Sequence, residues 1–237
     1  MKELSLAVVI PVYNEAACIE KVLQNWLDTL EREVVGDYRL LVYDDGSKDD
    51  SFEIISQLSE KHEKILPFRH ANIGHGPTLL RGYKLGFHLA EWVLQIDSDD
   101  EINPRDFDDF WRRRKGKDFL IGQRVRNSPP IRQIITLFSR FVIRLLFGKG
   151  VRDVNCPFRL MRSSSFEESV GKIPPDTFAP NILISGLATQ SRMKIQEVPI
   201  THKFRETGHV SIRKFKLLKA AMQSFFQTFR FALFRQF

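Results

Sequence analysis

The chain has 237 residues, a mass of 27.6 kDa and a formal net charge of +7, a length that suits one large α/β domain or one domain with an appendage. A composition of 43% hydrophobic and 27% charged residues supports a packed core and argues against disorder, and two cysteines, Cys18 and Cys156, exclude a disulfide scaffold or a CxxC metal knuckle. The net charge hides an asymmetry: residues 1–110 hold 11 Lys/Arg against 22 Asp/Glu, and residues 111–237 hold 25 against 7, so the second half is expected to meet nucleic acid, an anionic membrane or phosphorylated substrates.

The chain enters a strand-like segment at once, with no signal-peptide h-region, and no apolar run reaches the length of a membrane span. A cytosol-facing protein without its own transmembrane anchor is expected. Residues 4–10 (LSLAVVI) predict a buried parallel strand ended by Pro11. A helix follows from Glu15 to about Leu30, with Asn14 as its N-cap. Tyr38–Tyr43 predicts a second strand, closed by Asp44-Asp45-Gly46-Ser47, and helix to about His62. Ile65–Arg69 is a third strand, and a turn with Asn72, Gly74 and Gly76 leads to a helix ending near Ala90. Trp92–Ile96 is a fourth strand, closed by Asp97-Ser98-Asp99-Asp100-Glu101. Strands and helices alternating at this spacing predict a parallel α/β sheet, whose ligands bind at the carboxyl ends of its strands. The second half predicts a strand at Asp118–Gly122, a helix from Ile131 to Phe147, a strand within Asn155–Met161, a helix from Asn181 to about Gln190, a strand at Lys194–Ile200 and a final helix from about Ile212.

Two acidic turns stand where ligands would bind. Asp97 and Asp99, two residues apart beyond a buried strand, suit a hard divalent cation that takes few carboxylates plus substrate phosphates; the same residues also suit a helix-capping turn before Pro104. After the second strand, Asp44 and Asp45 suit a base N–H or a ribose hydroxyl, or an ordinary Asp-Gly turn with Ser47 or Asp49 capping the next helix. Asn72-Ile73-Gly74-His75-Gly76 permits close approach of backbone to a ligand but is neither a P-loop nor GxGxxG.

Taken in order, Val9-Ile10-Pro11-Val12-Tyr13-Asn14-Glu15, Val42-Tyr43-Asp44-Asp45-Gly46-Ser47, Asn72-x-Gly74-x-Gly76 and Asp97-x-Asp99 resemble the inverting family 2 glycosyltransferases of the GT-A fold. Ile121-Gly122-Gln123-Arg124, Val151-x-Asp153, Phe158-Arg159-Leu160-Met161-Arg162 and Glu197-Val198-Pro199-Ile200, with Arg205 and Gly208, are similar to the dolichyl-phosphate mannose synthase-like, polyprenyl-phosphate branch. The resemblance covers roughly residues 5–210 and implies a catalytic domain over 1–210, a Rossmann-like, mostly parallel sheet flanked by helices, with 211–237 a basic amphipathic appendage.

It also implies roles. Pro11, Tyr13, Glu15, Asp44, Asp45, Asn72 and Gly74 match positions around the nucleotide sugar; Asp97 and Asp99 match the catalytic metal and diphosphate site, with Glu101 as a third metal contact. Arg124, Arg132, Thr136 and Arg205 match contacts to donor or acceptor phosphate, with Arg132 counted as catalytic. Asn181 falls where many relatives carry the acid that serves as general base, and Asn cannot be that base. A phosphate monoester, with a second pKa of about 6, needs none, so the departure fits a phosphate acceptor, and Asn181 is set with the acceptor-phosphate residues, where it orients either the acceptor or the helix. The implied cofactor is Mg²⁺ or Mn²⁺, the donor GDP-mannose or a UDP-hexose, and the acceptor a dolichyl or undecaprenyl monophosphate.

The residues of two helices support a membrane setting. Ile131, Ile134, Ile135, Phe138, Phe141, Val142 and Leu145 form one stripe, while Arg132, Thr136, Arg140 and Arg144 lie on another. In the final helix, Phe215, Leu218, Met222, Phe225, Phe226, Phe229 and Leu233 oppose Lys216, Lys219, Gln223, Gln227 and Arg230, the pattern of a helix lying on an anionic membrane or packed on a partner. Peripheral attachment at the cytoplasmic face, through these helices or a membrane-anchored partner subunit, is the expectation. The rivals are a family 2 enzyme acting on a soluble or polymeric saccharide, a nucleotide-sugar-binding subunit without turnover, and a nucleic-acid binder, the last unsupported by any recognised basic motif.

Overall fold

Strand β1 (Leu4–Val12) is buried along almost its whole length, as an aliphatic, β-branched run in the middle of a parallel sheet must be. In this computed structural model, which describes residues 2–124, 144, 147, 148, 151–201, 222 and 226–231, β1 is followed by α1 (Ile19–Glu33), β2 (Tyr38–Asp44), α2 (Ser51–Lys61), β3 (Ile65–Arg69), α3 (His75–Leu89), β4 (Ala90–Gln95), α4 (Asp106–Arg113), β5 (Phe119–Arg124), β6 (Arg159–Arg162), α5 (Ser163–Gly171), α6 (Pro180–Gln190) and β7 (Ile195–Ile200). The strands form one sheet in the order β3-β2-β1-β4-β6-β5-β7. All neighbours run parallel except β6, which is antiparallel to β4 and to β5. The expected α/β, mostly parallel sheet flanked by helices is what the chain forms.

Several details differ from the sequence reading. Strand β1 does not stop at Pro11, which pairs in register with Tyr43 of β2. The ladder to β4 has already ended at Val9 and Gln95, so a residue without an N–H is tolerated there. Asn14 is not the cap of α1: it lies at φ 56°, and the helix begins at Ile19 after a turn in which Cys18 and Ile19 donate to the Glu15 carbonyl. Two short helices were not foreseen. In α4, Phe107, Phe110 and Trp111 are buried while Asp106, Asp108 and Asp109 sit in the first turn and Arg112 and Arg113 in the last, an arrangement that suits the helix dipole. In α5, Ser163 donates to the Ala90 carbonyl at 2.5 Å and Phe166 stacks on Phe87, so tertiary contacts offset a weak local preference.

The core runs under the sheet into an aromatic group. Trp26 of α1 meets Phe107 edge-on at 6.1 Å and Phe158 at 6.0 Å, and Phe110 lies 4.4 Å from Phe158. Arg159, also buried, lies over the Phe119 ring at 5.9 Å and donates to the carbonyls of Cys156, Val154 and Asn181. Its guanidinium joins the 154–156 segment to the start of α6, and desolvation pushes its pKa below the ordinary value. The predicted helix Ile131–Phe147 lies largely outside the described residues, as does most of the final helix. Met222 and residues 226–231 are helical. There the polar side meets the domain: Gln227 accepts from the Phe178 amide at 2.8 Å and donates to the Asp176 carbonyl at 3.3 Å, and Thr228 is buried. Met222, Phe226 and Phe229 are exposed, on the opposite side of a 3.6-residue turn. Among the described residues no helix is long and apolar enough to cross a membrane.

Candidate active site

Three loops at the carboxyl ends of β1, β2 and β3 are tied together by hydrogen bonds. The Asn14 amide donates to Ser47 Oγ (2.9 Å), the Lys48 amide to Asn14 Oδ1 (2.8 Å), the Glu15 amide to Ser51 Oγ (2.8 Å) and the Ala16 amide to Asp49 Oδ2 (3.1 Å). Burial works against the Asp49 carboxylate, yet donors from Ser51 and Ala16 hold its pKa below the ordinary value. Asp45 accepts from the amides of Ile73 (2.7 Å) and Gly74 (3.0 Å), fastening the third loop. Gly74, at φ 97°, precedes α3 in a conformation that a side chain would strain. Two residues on, the backbone carbonyls of Thr177 and Phe178 approach Gly76 so closely that a Cβ there would sit 2.3 Å from each.

The fourth loop follows β4. The Ile96 amide donates to the Val9 carbonyl (3.2 Å), Gln95 Nε2 donates to Asp97 Oδ1 (3.2 Å), and the Glu101 amide donates to Asp99 Oδ1 (3.3 Å). Cys18 Sγ is within 3.3 Å of the Ser98 carbonyl and 3.4 Å of Glu15 Oε2. Between the loops opens a cleft of about 360 Å³, lined by Pro11, Val12, Tyr13, Glu15, Asp45, Asn72, Gly74, His75, Asp97, Ser98 and Asp99.

Eight residues singled out in the sequence therefore meet in one cleft: Pro11, Tyr13, Glu15, Asp45, Asn72, Gly74, Asp97 and Asp99. Others are elsewhere. Asp44 is fully buried and outside the cleft wall, accepting from the Ser47 amide and lying 3.4 Å from Arg69 Nε. Glu101 does not line the cleft, and among the described residues no three metal-binding side chains converge. The Arg124 guanidinium is engaged by Asp153, at 2.6 Å from Nε and 3.0 Å from Nη2. Burial opposes this charge, but Asp153 holds the guanidinium pKa above its ordinary value, with a further contribution from Asp97. Asp153 thus partners Arg124. Asn181 is 4% exposed, with its side-chain atoms against Tyr83 and Gln95 and away from the cleft wall. Arg132, Thr136 and Arg205 lie outside the described residues. Val12 and Ser98 enter the cleft wall with no assigned role, and Tyr83 and Gln95 were missed altogether. A lone glutamine in the buried run Trp92-Val93-Leu94-Gln95-Ile96 is a signal in itself, since a buried amide requires partners.

Four acidic residues line the cleft, Glu15, Asp45, Asp97 and Asp99. Such a wall repels an anionic ligand unless a cation intervenes. Asp97 and Asp99 fit a hard divalent ion that draws its remaining oxygens from a ligand's phosphates and from water.

A family model described as glycosyl transferase family 2 matches residues 7–170. A dolichyl-phosphate β-glucosyltransferase of Trichomonas vaginalis is 24% identical over 90% of this chain and 68% of its own length. An uncharacterised glycosyltransferase of Bacillus subtilis is 29% identical over 91% and 65%. An undecaprenyl-phosphate 4-deoxy-4-formamido-L-arabinose transferase of Photorhabdus laumondii is 24% identical over 90% and 64%. The chain thus spans about two thirds of the length of these relatives. In structure, glucosyl-3-phosphoglycerate synthase of Mycobacterium tuberculosis, crystallised with Mn²⁺, UDP-glucose and glycerol 3-phosphate, superposes with a TM-score of 0.65 at 18% identity, covering 98% of this chain and 82% of that one. That likeness is one of fold.

Proposed function

Because the chain belongs to glycosyltransferase family 2, we propose that this enzyme transfers a sugar from a nucleotide-diphosphate donor, GDP-mannose or a UDP-hexose, to a polyprenyl monophosphate at a membrane surface, with inversion at the anomeric carbon. The observation that carries the reading is the convergence of Asp97 and Asp99 with Pro11, Tyr13, Glu15 and Asn72 in one cleft at the carboxyl ends of the strands. Asp97 and Asp99 hold Mg²⁺ or Mn²⁺, which when bound stabilises charge on the departing diphosphate. Glu15, Tyr13 and Asn72 orient the donor. An acceptor phosphate oxygen attacks the anomeric carbon, the bond from that carbon to the diphosphate oxygen breaks, and the nucleoside diphosphate leaves. An acceptor that is already ionised has no proton to lose, which matches a chain with Asn181 in place of an acidic base.

The lipid acceptor draws support from two relatives whose names specify dolichyl and undecaprenyl phosphate. It draws further support from the outward apolar side of the C-terminal helical residues, Met222, Phe226 and Phe229, in a segment where residues 207–237 hold six basic residues and no acid. The catalytic domain is assigned to 1–210, the surface-binding appendage to 211–237, acceptor phosphate contact to Arg124, Arg132 and Thr136, and donor contact to Arg124 and Arg205.

The test incubates the purified chain with Mn²⁺ or Mg²⁺, undecaprenyl or dolichyl phosphate, and a panel of nucleotide sugars, and measures released nucleoside diphosphate and glycolipid. Expected are both products in equal amounts, with weaker acceptor use in Arg132→Ala. Turnover with a soluble phosphorylated acceptor and none with lipid phosphate overturns the acceptor assignment.

A further inference from the structure

The last residue of β4, Gln95, is fully buried, and every polar atom of its amide is committed. Oε1 lies 2.5 Å from the Tyr83 hydroxyl and 2.9 Å from Asn181 Nδ2, and Nε2 lies 3.2 Å from Asp97 Oδ1. The Tyr83 hydroxyl is also 2.8 Å from Asn181 Oδ1, so its one proton serves either oxygen. The direction of this chain is not arbitrary. A carboxylate in its ionised form only accepts hydrogen bonds, so turning the Gln95 amide over would set Oε1 against Asp97 Oδ1. Asn181 must therefore present Nδ2, and not its oxygen, to Gln95. Burial pushes the Tyr83 phenol above its ordinary pKa and keeps it a neutral donor.

The base of the chain is held as well. The Asn181 carbonyl accepts from Arg159 Nη1 at 3.1 Å and from Ser185 Oγ at 2.9 Å, and Arg159 is itself tied to the carbonyls of Cys156 and Val154. A single direction of donation thus runs from α6 through Gln95 to the carboxylate at the cleft.

We infer that Gln95, set in orientation by Asn181 and Tyr83, is a positioning residue that fixes the rotation of the Asp97 carboxylate for cation binding. The inference rests on the metal reading of Asp97 and Asp99 above, and it gives Asn181 a role distinct from contact with the acceptor. Partners of this kind in the outer shell of a metal site commonly contribute about 10–100-fold in affinity.

The test titrates Mn²⁺, in the presence of UDP or GDP, into the full chain and follows binding by electron paramagnetic resonance and calorimetry. The variants are Gln95→Met, which keeps the length of the side chain and removes the amide, and Asn181→Asp, which takes away the donor to Gln95 and favours the reversed amide. Tyr83→Phe accompanies them as the mildest change, in case the first two fail to fold. Expected is weaker Mn²⁺ binding by about tenfold or more in Gln95→Met and Asn181→Asp, and by about threefold in Tyr83→Phe, with circular dichroism of folded protein. Folded variants that bind Mn²⁺ within twofold of the parent overturn this inference alone. A parent chain that binds no Mn²⁺ overturns the metal reading, and the inference with it.

Discussion

Asp153 grips Arg124 at two points, 2.6 Å from Nε and 3.0 Å from Nη2, with only 19% and 14% of the two side chains exposed. The bidentate geometry uses one edge of the guanidinium, so any phosphate that Arg124 contacts must meet its remaining donors. Asp153→Asn leaves a mostly buried cation short of its counter-charge. The expected loss is about 3 kcal/mol in denaturant unfolding, with a melting midpoint lower by roughly 6–12 °C. A loss under about 0.5 kcal/mol would show that the pair is dispensable for the fold.

Asp99→Ala removes one of the two carboxylates assigned to the cation. Transfer measured as nucleoside diphosphate release should fall by about a hundredfold or more, as the loss of several kcal/mol of charge stabilisation requires. The variant should fold normally, because Asp99 is a loop residue at the cleft. Unchanged turnover would refute its assignment to the metal.

Phe226 and Phe229 are 61% and 40% exposed, on the side of the helix that faces away from Gln227 and its contacts with the 176–178 loop. Changing both to Ser should leave the domain intact and weaken sedimentation with vesicles containing phosphatidylglycerol. Burial of a phenylalanine contributes about 1.5–3 kcal/mol, so a loss of tenfold or more in partitioning is expected. Equal sedimentation of parent and double variant would remove the membrane role of this face.

Cys156 is fully buried, and desolvation pushes its thiol up to about 11 from an ordinary value of 9.0. The folded chain therefore keeps the neutral thiol at pH values where the unfolded chain ionises it. The resulting contribution to stability is present in full below about pH 9 and is lost as pH rises towards 11. Alkylation with iodoacetamide at pH 8, read by mass spectrometry, should spare Cys156 in native protein and label it in denaturant. Rapid native labelling would contradict its burial.

The alternation of strand and helix through β4 was legible because each element carries its own periodicity: Tyr38–Asp44 and Ile65–Arg69 are short apolar runs, and α1 repeats buried residues at helical spacing. The cleft was legible for a related reason. Acids and glycines that end successive parallel strands are brought to one edge by topology alone, so Glu15, Asn72, Gly74, Asp97 and Asp99 meet without any knowledge of packing. Helices α4 and α5 escaped because eight or nine residues carry too little periodicity, and it is contact with Trp26, Phe158 and Phe87 that stabilises them.

What the amino-acid order determined by itself was the class of sheet, the edge at which a ligand binds and the acidic character of that edge, since all three follow from local pattern and strand direction. Tertiary structure alone decided the partners. Asp153 lies 29 positions from Arg124, and Asn181 lies 86 from Gln95. Only the packed sheet and helices bring these polar groups together in a dry interior, where a hydrogen-bonding group left without its partner is costly enough to enforce one arrangement.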